Sequence, residues 1–420
     1  MYQITTLDNG LRILSAPMPY AHSVSVAFFL AAGSRYENPE ESGLSHFVEH
    51  LCFKGTRQRP SAKDISEAIE RVGGVLNGGT DKEITVYWCK VARPHFELGV
   101  DILSDMLRNS LFDVSEIDKE RNVINEEISM SWDSPGHRTE LLLDEVLWPG
   151  NALGRDVAGS RETLPNINKD LLVDYVTRQY LPNTMVVGVA GAIEHQEVVS
   201  VIDRYLRDWE KGSPRLLHPA ADTQEEPRLK VEYKDTEQAH LCLAVRGIPL
   251  LHPDRYALDL LNVILGEGMS SRLFQEIREK HCLAYDIHSY VNYFRDAGSL
   301  VIGAGVDPKQ LSRTISAILE QLRLIKKGIT RDELQKVKDM TKGRLLLRLE
   351  DSRSVAGFLA AQELLTNRVL VIEEVVAAID SVKEEDILKQ ADNLLVSSRL
   401  NMAVVGPLKN GGDLKDLLFL

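Results

Sequence analysis

Ser42-Gly43-Leu44-Ser45-His46-Phe47-Val48-Glu49-His50-Leu51-Cys52-Phe53-Lys54 is the stretch from which the rest of the chain can be read. Leu44, Phe47, Val48 and Leu51 recur at helical spacing, Ser42 offers a cap and Gly55 a stop, so the segment is expected to be a helix. His46 and His50 then lie one turn apart on one face, where two imidazole nitrogens can reach a single ion. Glu49 falls near the same face without occupying a ligand position, which is where a general base for water activation belongs. With 11 histidines in 420 residues, a chance His-x-x-Glu-His arises on the order of a few per cent of the time. A third ligand is needed before the motif carries weight.

Zinc sites with two histidines usually complete themselves with a carboxylate and leave one position open. Ser115 to Met130 reads as a strongly charged helix containing Glu116, Glu120, Glu126 and Glu127. Glu120, Ile124, Glu127, Ile128 and Ser131 share a stripe with apolar neighbours, while Glu126 turns toward the more solvated side. Glu127 is therefore the better ligand candidate, and Glu120, two turns earlier, is placed to orient a histidine from behind. A solvated acidic face is the alternative reading of both. The donor set suits one Zn2+ per chain, with cobalt or manganese as substitutes.

The charged helix belongs to a pattern that occurs twice. Gly99 to Ile128 and Ser312 to Leu345 each read as an amphipathic helix, a short loop and a charged helix. Apolar strands are expected early in each half (Ser23 to Leu30; His240 to Val245) and late (Met185 to Gly191; Met402 to Gly406), the late ones leading toward a last helix. One unit used twice fits a chain longer than a single core supports. The Pro-rich and charged stretch from Asp208 to Lys230 marks the join, giving an N-terminal domain at 1–211, a linker at 212–229 and a homologous domain at 230–420. Strands beside long helices, without strict βαβ alternation, indicate an α+β class in which mixed or antiparallel sheets carry helices on one face. Met1 to Ile13 reads as a first strand. No His-x-x-Glu-His stands at the corresponding place in the second half, Ala257 to Gly266, so that half is expected to be non-metallic.

A formal net charge of −13 argues against nucleic acid as a partner, since phosphate neutralisation needs basic patches. No apolar run approaches the ~20 residues of a membrane span, and Met1 to Ile13 lacks signal-peptide character, which favours the cytoplasm. Cys52, Cys89, Cys242 and Cys282 lie scattered in apolar sequence and read as buried thiols of a reducing compartment.

Gly43 to His50, followed by Phe53-Lys54-Gly55-Thr56, resembles the inverted zincins of the pitrilysin and mitochondrial-processing-peptidase family. The 76 residues between His50 and Glu127 and the run Glu120-Arg121-Asn122-Val123-Ile124-Asn125-Glu126-Glu127 fit its distant ligand, and the likeness covers essentially the whole chain. The resemblance implies a zinc-dependent endopeptidase with Glu49 as base, acting on unstructured peptides or presequence-like segments inside a closed chamber. It also implies a substrate-binding strand at Gly73 to Thr80, with Asn77, Gly78 and Gly79 as contacts, although Gly78 stands where alanine is usual. Arg278 and Tyr285 match the family's substrate-contact pair. Relatives that close a chamber carry four such domains, so a homodimeric clamshell is expected of this chain. A catalytically silent scaffold or partner subunit of the same fold is the alternative, and the intact His46, Glu49, His50 and Glu127 argue against it.

Overall fold

The computed structural model of the chain describes residues 2–221, 223–409 and 411–420. Two sheets organise it. The first has six strands in the order β1-β2-β6-β3-β5-β4, and the second has five in the order β7-β11-β8-β10-β9. The strands are β1 (Gln3–Thr6), β2 (Arg12–Pro17), β3 (Ser23–Leu30), β4 (Val75–Thr80), β5 (Thr85–Ala92), β6 (Met185–Gly191), β7 (Arg228–Tyr233), β8 (Ala239–Arg246), β9 (Ala284–Tyr293), β10 (Gly298–Val306) and β11 (Leu400–Gly406). Each sheet is antiparallel except for one parallel pair, β2 with β6 and β7 with β11. The fold is α+β, with the same plan used twice.

In the first sheet, side-chain alternation along β3 divides two layers. Val24, Val26, Phe28 and Leu30 face a core shared with the helices Leu44–Cys52, Phe96–Asn109, Val114–Asp133 and His195–Leu206, through Phe47, Leu103, Ile124 and Val198. Ala27 faces the other way. That second face is covered by one helix from far along the chain, Ser352–Thr366, which lays Leu359, Ala360 and Leu364 on Leu14, Ala31 and Val186, and Ala356 on Ala27 and Ala190. A Cβ on Gly188 of β6 would collide with the Ala356 carbonyl, so only glycine lets this helix lie so close. Arg12 reaches Glu363 at 2.9 Å and Lys90 reaches Asp351 at 2.6 Å, tying both ends of the helix down.

The second sheet receives the reciprocal element. Pro135–Leu147 packs Leu142, Leu143 and Leu147 on Cys242, Ala244, Val301, Ala403 and Val405, and its Arg138 meets Glu232 of β7 at 2.6 Å. The compact units are therefore discontinuous: Met1–Ile128, Asp156–His218 and Leu346–Val371 in one, Ser129–Arg155, Pro219–Leu345 and Ile372–Leu420 in the other. They do not follow a single cut through 212–229, because 129–155 and 346–371 have each crossed to the opposite sheet. Asp222 of that stretch lies outside the described residues. Nearby, Arg215 bonds Glu41 at 2.6 Å and the His218 N–H donates to the Arg35 carbonyl at 2.8 Å, so this part of the segment is fastened down.

Smaller departures have local causes. Residues 2–13 hold β1 and the start of β2 rather than one first strand, because Asp8-Asn9-Gly10 turns the chain back and β1 pairs with β2. After β11 the described residues hold only a short 3-10 turn, Gly412–Leu414, in place of a last helix. Cys52, Cys89 and Cys242 are buried as expected, but Cys282 is exposed. No described helix is long and apolar enough to cross a membrane.

Candidate metal centre

The motif helix spans Leu44–Cys52. Leu44, Phe47, Val48 and Leu51 are buried completely or nearly so, which fixes the opposite face and with it the direction of His46 and His50. Its start is not held by Ser42. Gly43 is the N-cap, with φ 97°, and the orphan N–H groups of the first turn find the carboxylate of fully buried Glu37. Gly43 N–H donates to Glu37 Oε2 at 3.0 Å and Ser45 N–H to Oε1 at 2.6 Å. An anion there is favoured by the helix dipole as well as by the bonds. Ser45 is anchored in turn to the Tyr175 hydroxyl at 2.7 Å.

His46, His50 and Glu127 converge, and they are the one group among the described residues that could hold a metal ion. The two Nε2 atoms are 3.2 Å apart, and Glu127 Oε2 is 3.7 Å from His46 Nε2 and 3.5 Å from His50 Nε2. Tetrahedral zinc with bonds of ~2.0–2.1 Å separates its ligand atoms by about 3.3 Å, so the three donors fit the ion. Two imidazole nitrogens this close need a proton or a cation between them. Burial first, and His50 second, push His46 down to about 4, leaving its lone pair free at neutral pH. The Cys52 thiol, two residues on, is pushed up to about 11 by burial and does not compete as a thiolate.

Glu120 lies behind His50. Its Oε2 lies 3.1 Å from His50 Nδ1, and its Oε1 lies 2.7 Å from Lys54 Nζ. With Nδ1–H donating to this buried carboxylate, Nε2 is the nitrogen that faces the centre. Nδ1 of His46 is buried and has no such partner among the described residues.

Glu49 stands beside the cluster but outside it. Burial is the main influence on its carboxyl and raises it above the usual carboxylate range, with Glu127 adding, while His50 and the Thr80 hydroxyl oppose the shift. A carboxylate made more basic in this way is suited to taking a proton. Asn77, Gly78 and Gly79 lie on β4, at the edge of the first sheet, paired among the described residues only with β5. Arg278 and Tyr285 belong to the second unit. There the guanidinium sits 5.0 Å from the Tyr285 ring and 4.7 Å from that of Phe274, and Tyr285 is 77% exposed. Glu37, Lys54 and Thr80 are the contributors that sequence reasoning did not single out. Lys54 and Thr80 stood inside quoted motifs, whereas Glu37 carried no local signal.

Comparison with known proteins identifies the family. Residues 12–161 match the family profile described as insulinase (peptidase family M16), and residues 166–341 match that of the peptidase M16 inactive domain. The chain is 37% identical to the uncharacterized zinc protease YmxG of Bacillus subtilis over 96% of this chain and 98% of that protein. It is 36% identical to an uncharacterized zinc protease of Streptomyces coelicolor, over 97% and 90%. Among solved structures, a protease from Helicobacter pylori superposes with TM-score 0.90 at 25% identity, covering 97% of this chain and 99% of that one. A peptidase M16 inactive domain from Pseudomonas fluorescens shares the fold, with TM-score 0.90 at 18% identity over 97% and 98%. By these matches across nearly its full length, the chain belongs to peptidase family M16, the insulinase family.

Proposed function

We propose that the chain is a zinc-dependent endopeptidase acting on unstructured peptides, with Glu49 as its general base. The observation that carries this reading is the convergence of His46, His50 and Glu127 at zinc-ligand separations, with a half-buried carboxylate of raised basicity next to them. Zinc, when bound, supplies Lewis-acid polarisation and acidifies water. Glu49 takes a proton from the attacking water and returns it to the leaving nitrogen; since Oε2 accepts the Thr80 bond, Oε1 is the oxygen left to carry it. Edge strand β4 offers main-chain groups to which an extended peptide can add, a mode that reads backbone more than side chains.

The description "inactive domain" falls on 166–341, a range that contains none of His46, Glu49, His50 and Glu127. It does not weigh against activity in the other half. The test is cleavage of a quenched, unstructured peptide by metal-analysed protein. Turnover should vanish with chelator and return with zinc, whereas no turnover by zinc-loaded protein would favour the silent scaffold.

The carboxylate behind His50 supports a second measurement. Glu120→Gln keeps the shape but loses the charge shared between His50 and Lys54, and zinc affinity should fall about 10- to 100-fold. Competition with a chromogenic chelator reads this, and unchanged affinity would remove Glu120 from the centre.

A further inference from the structure

The strand to which we assign the peptide also touches the base. Leu76, Gly78 and Thr80 share one face of β4, and that face meets the motif helix. Thr80 Oγ1 donates to Glu49 Oε2 at 3.1 Å. Two residues earlier, a Cβ on Gly78 would stand 3.0 Å from Glu49 Oε1 and 3.0 and 3.1 Å from Cε2 and Cζ of Phe53. One carboxylate oxygen is therefore held by β4 while the other is given room by it. Thr80 is itself backed from β5, where its cross-strand partner Thr85 places Oγ1 3.5 Å from Thr80 Oγ1 and 3.2 Å from the Ala32 carbonyl oxygen.

We propose that Thr80 is a positioning residue for the general base, its hydroxyl fixing the Glu49 carboxylate against the edge of the sheet. This rests on the reading of Glu49 given above. Glu49 has flexible side-chain torsions, and among the described residues the Thr80 hydroxyl is the hydrogen-bond donor that reaches its carboxylate. The Thr80 bond defines which oxygen is engaged and which is free. It also links the base to the strand that takes the peptide, so that ordering β4 orders the carboxylate.

Kinetics of wild type, Thr80→Val, Thr80→Ser, Glu49→Gln and the Thr80→Val/Glu49→Gln pair, each with metal analysis, test the idea. Valine keeps the shape of threonine and removes the hydroxyl, so kcat should fall about 10- to 100-fold, as a misplaced catalytic group costs. KM should stay within about twofold and the zinc content unchanged. Serine, which keeps the hydroxyl, should restore most of the rate. If Thr80 acts through Glu49, Thr80→Val should cost nothing further once Glu49 is glutamine. An undiminished loss in that background, a Thr80→Val enzyme as fast as wild type, or a Thr80→Ser enzyme as slow as Thr80→Val would each overturn the inference. Wild type without chelator-sensitive turnover would instead overturn the peptidase reading, and this one with it.

Discussion

Glu49→Gln should leave zinc in place and lower kcat by about 10²- to 10⁴-fold, the range that a positioned general base contributes. Glutamine has the shape of glutamate, and its carbonyl oxygen can still accept from Thr80, so the helix and the strand lose no packing. What disappears is the ability to take a proton at Oε1. The cluster of His46, His50 and Glu127 does not include Glu49, and bound zinc should therefore stay near one equivalent per chain. Steady-state rates with metal analysis decide the matter. Turnover within about threefold of wild type would assign the proton to another group.

Glu37→Ala should lower stability by about 4 kcal/mol, because hydrogen bonds to a charged acceptor are worth ~1.5–3 kcal/mol each and two are lost. The carboxylate is fully buried and receives both Gly43 N–H and Ser45 N–H, so its removal also strands two donors at the start of the helix that carries His46 and His50. The melting temperature should drop by about 10 °C for a unit of this size. Zinc affinity should fall with it, since the histidines sit within the first two turns. Glu37→Gln, with a single acceptor oxygen, should lie between. A melting temperature unchanged in Glu37→Ala would mean that water replaces the cap at no cost.

Much of the candidate metal cluster was legible because helix periodicity is a local rule. Spacing alone brings His46 and His50 together, and the stripe of Ile124 and Ile128, both buried, picks Glu127 over the exposed Glu126. The long apolar strands were equally readable; β3 and β6 run over the residues that their patterns indicated. Glu37 was not, since the pattern for a helix start looks at the capping position, where Ser42 seemed sufficient. The true acceptor stands seven residues before Leu44 and arrives through the fold. Thr80 escaped for the same reason: its partner is 31 residues away in sequence. The exchange of Pro135–Leu147 and Ser352–Thr366 left no trace in composition, because an apolar helix stripe does not say which sheet it will cover.

That exchange constrains how the chain can be made. When residues up to His218 have left the ribosome, β1 to β6 can pair and one side of their sheet can fill, but Leu14, Ala27, Val186 and Ala190 still face water on the other side. The helix that covers them, Ser352–Thr366, is synthesised roughly 10–30 s later at ordinary elongation rates. Through that interval the nascent protein is expected to present an uncovered apolar sheet face, the condition under which nascent chains recruit chaperones or aggregate. Slower translation across residues 219–366 should therefore lower the yield of folded protein without changing the melting temperature of the completed protein, and synonymous-codon variants would read this.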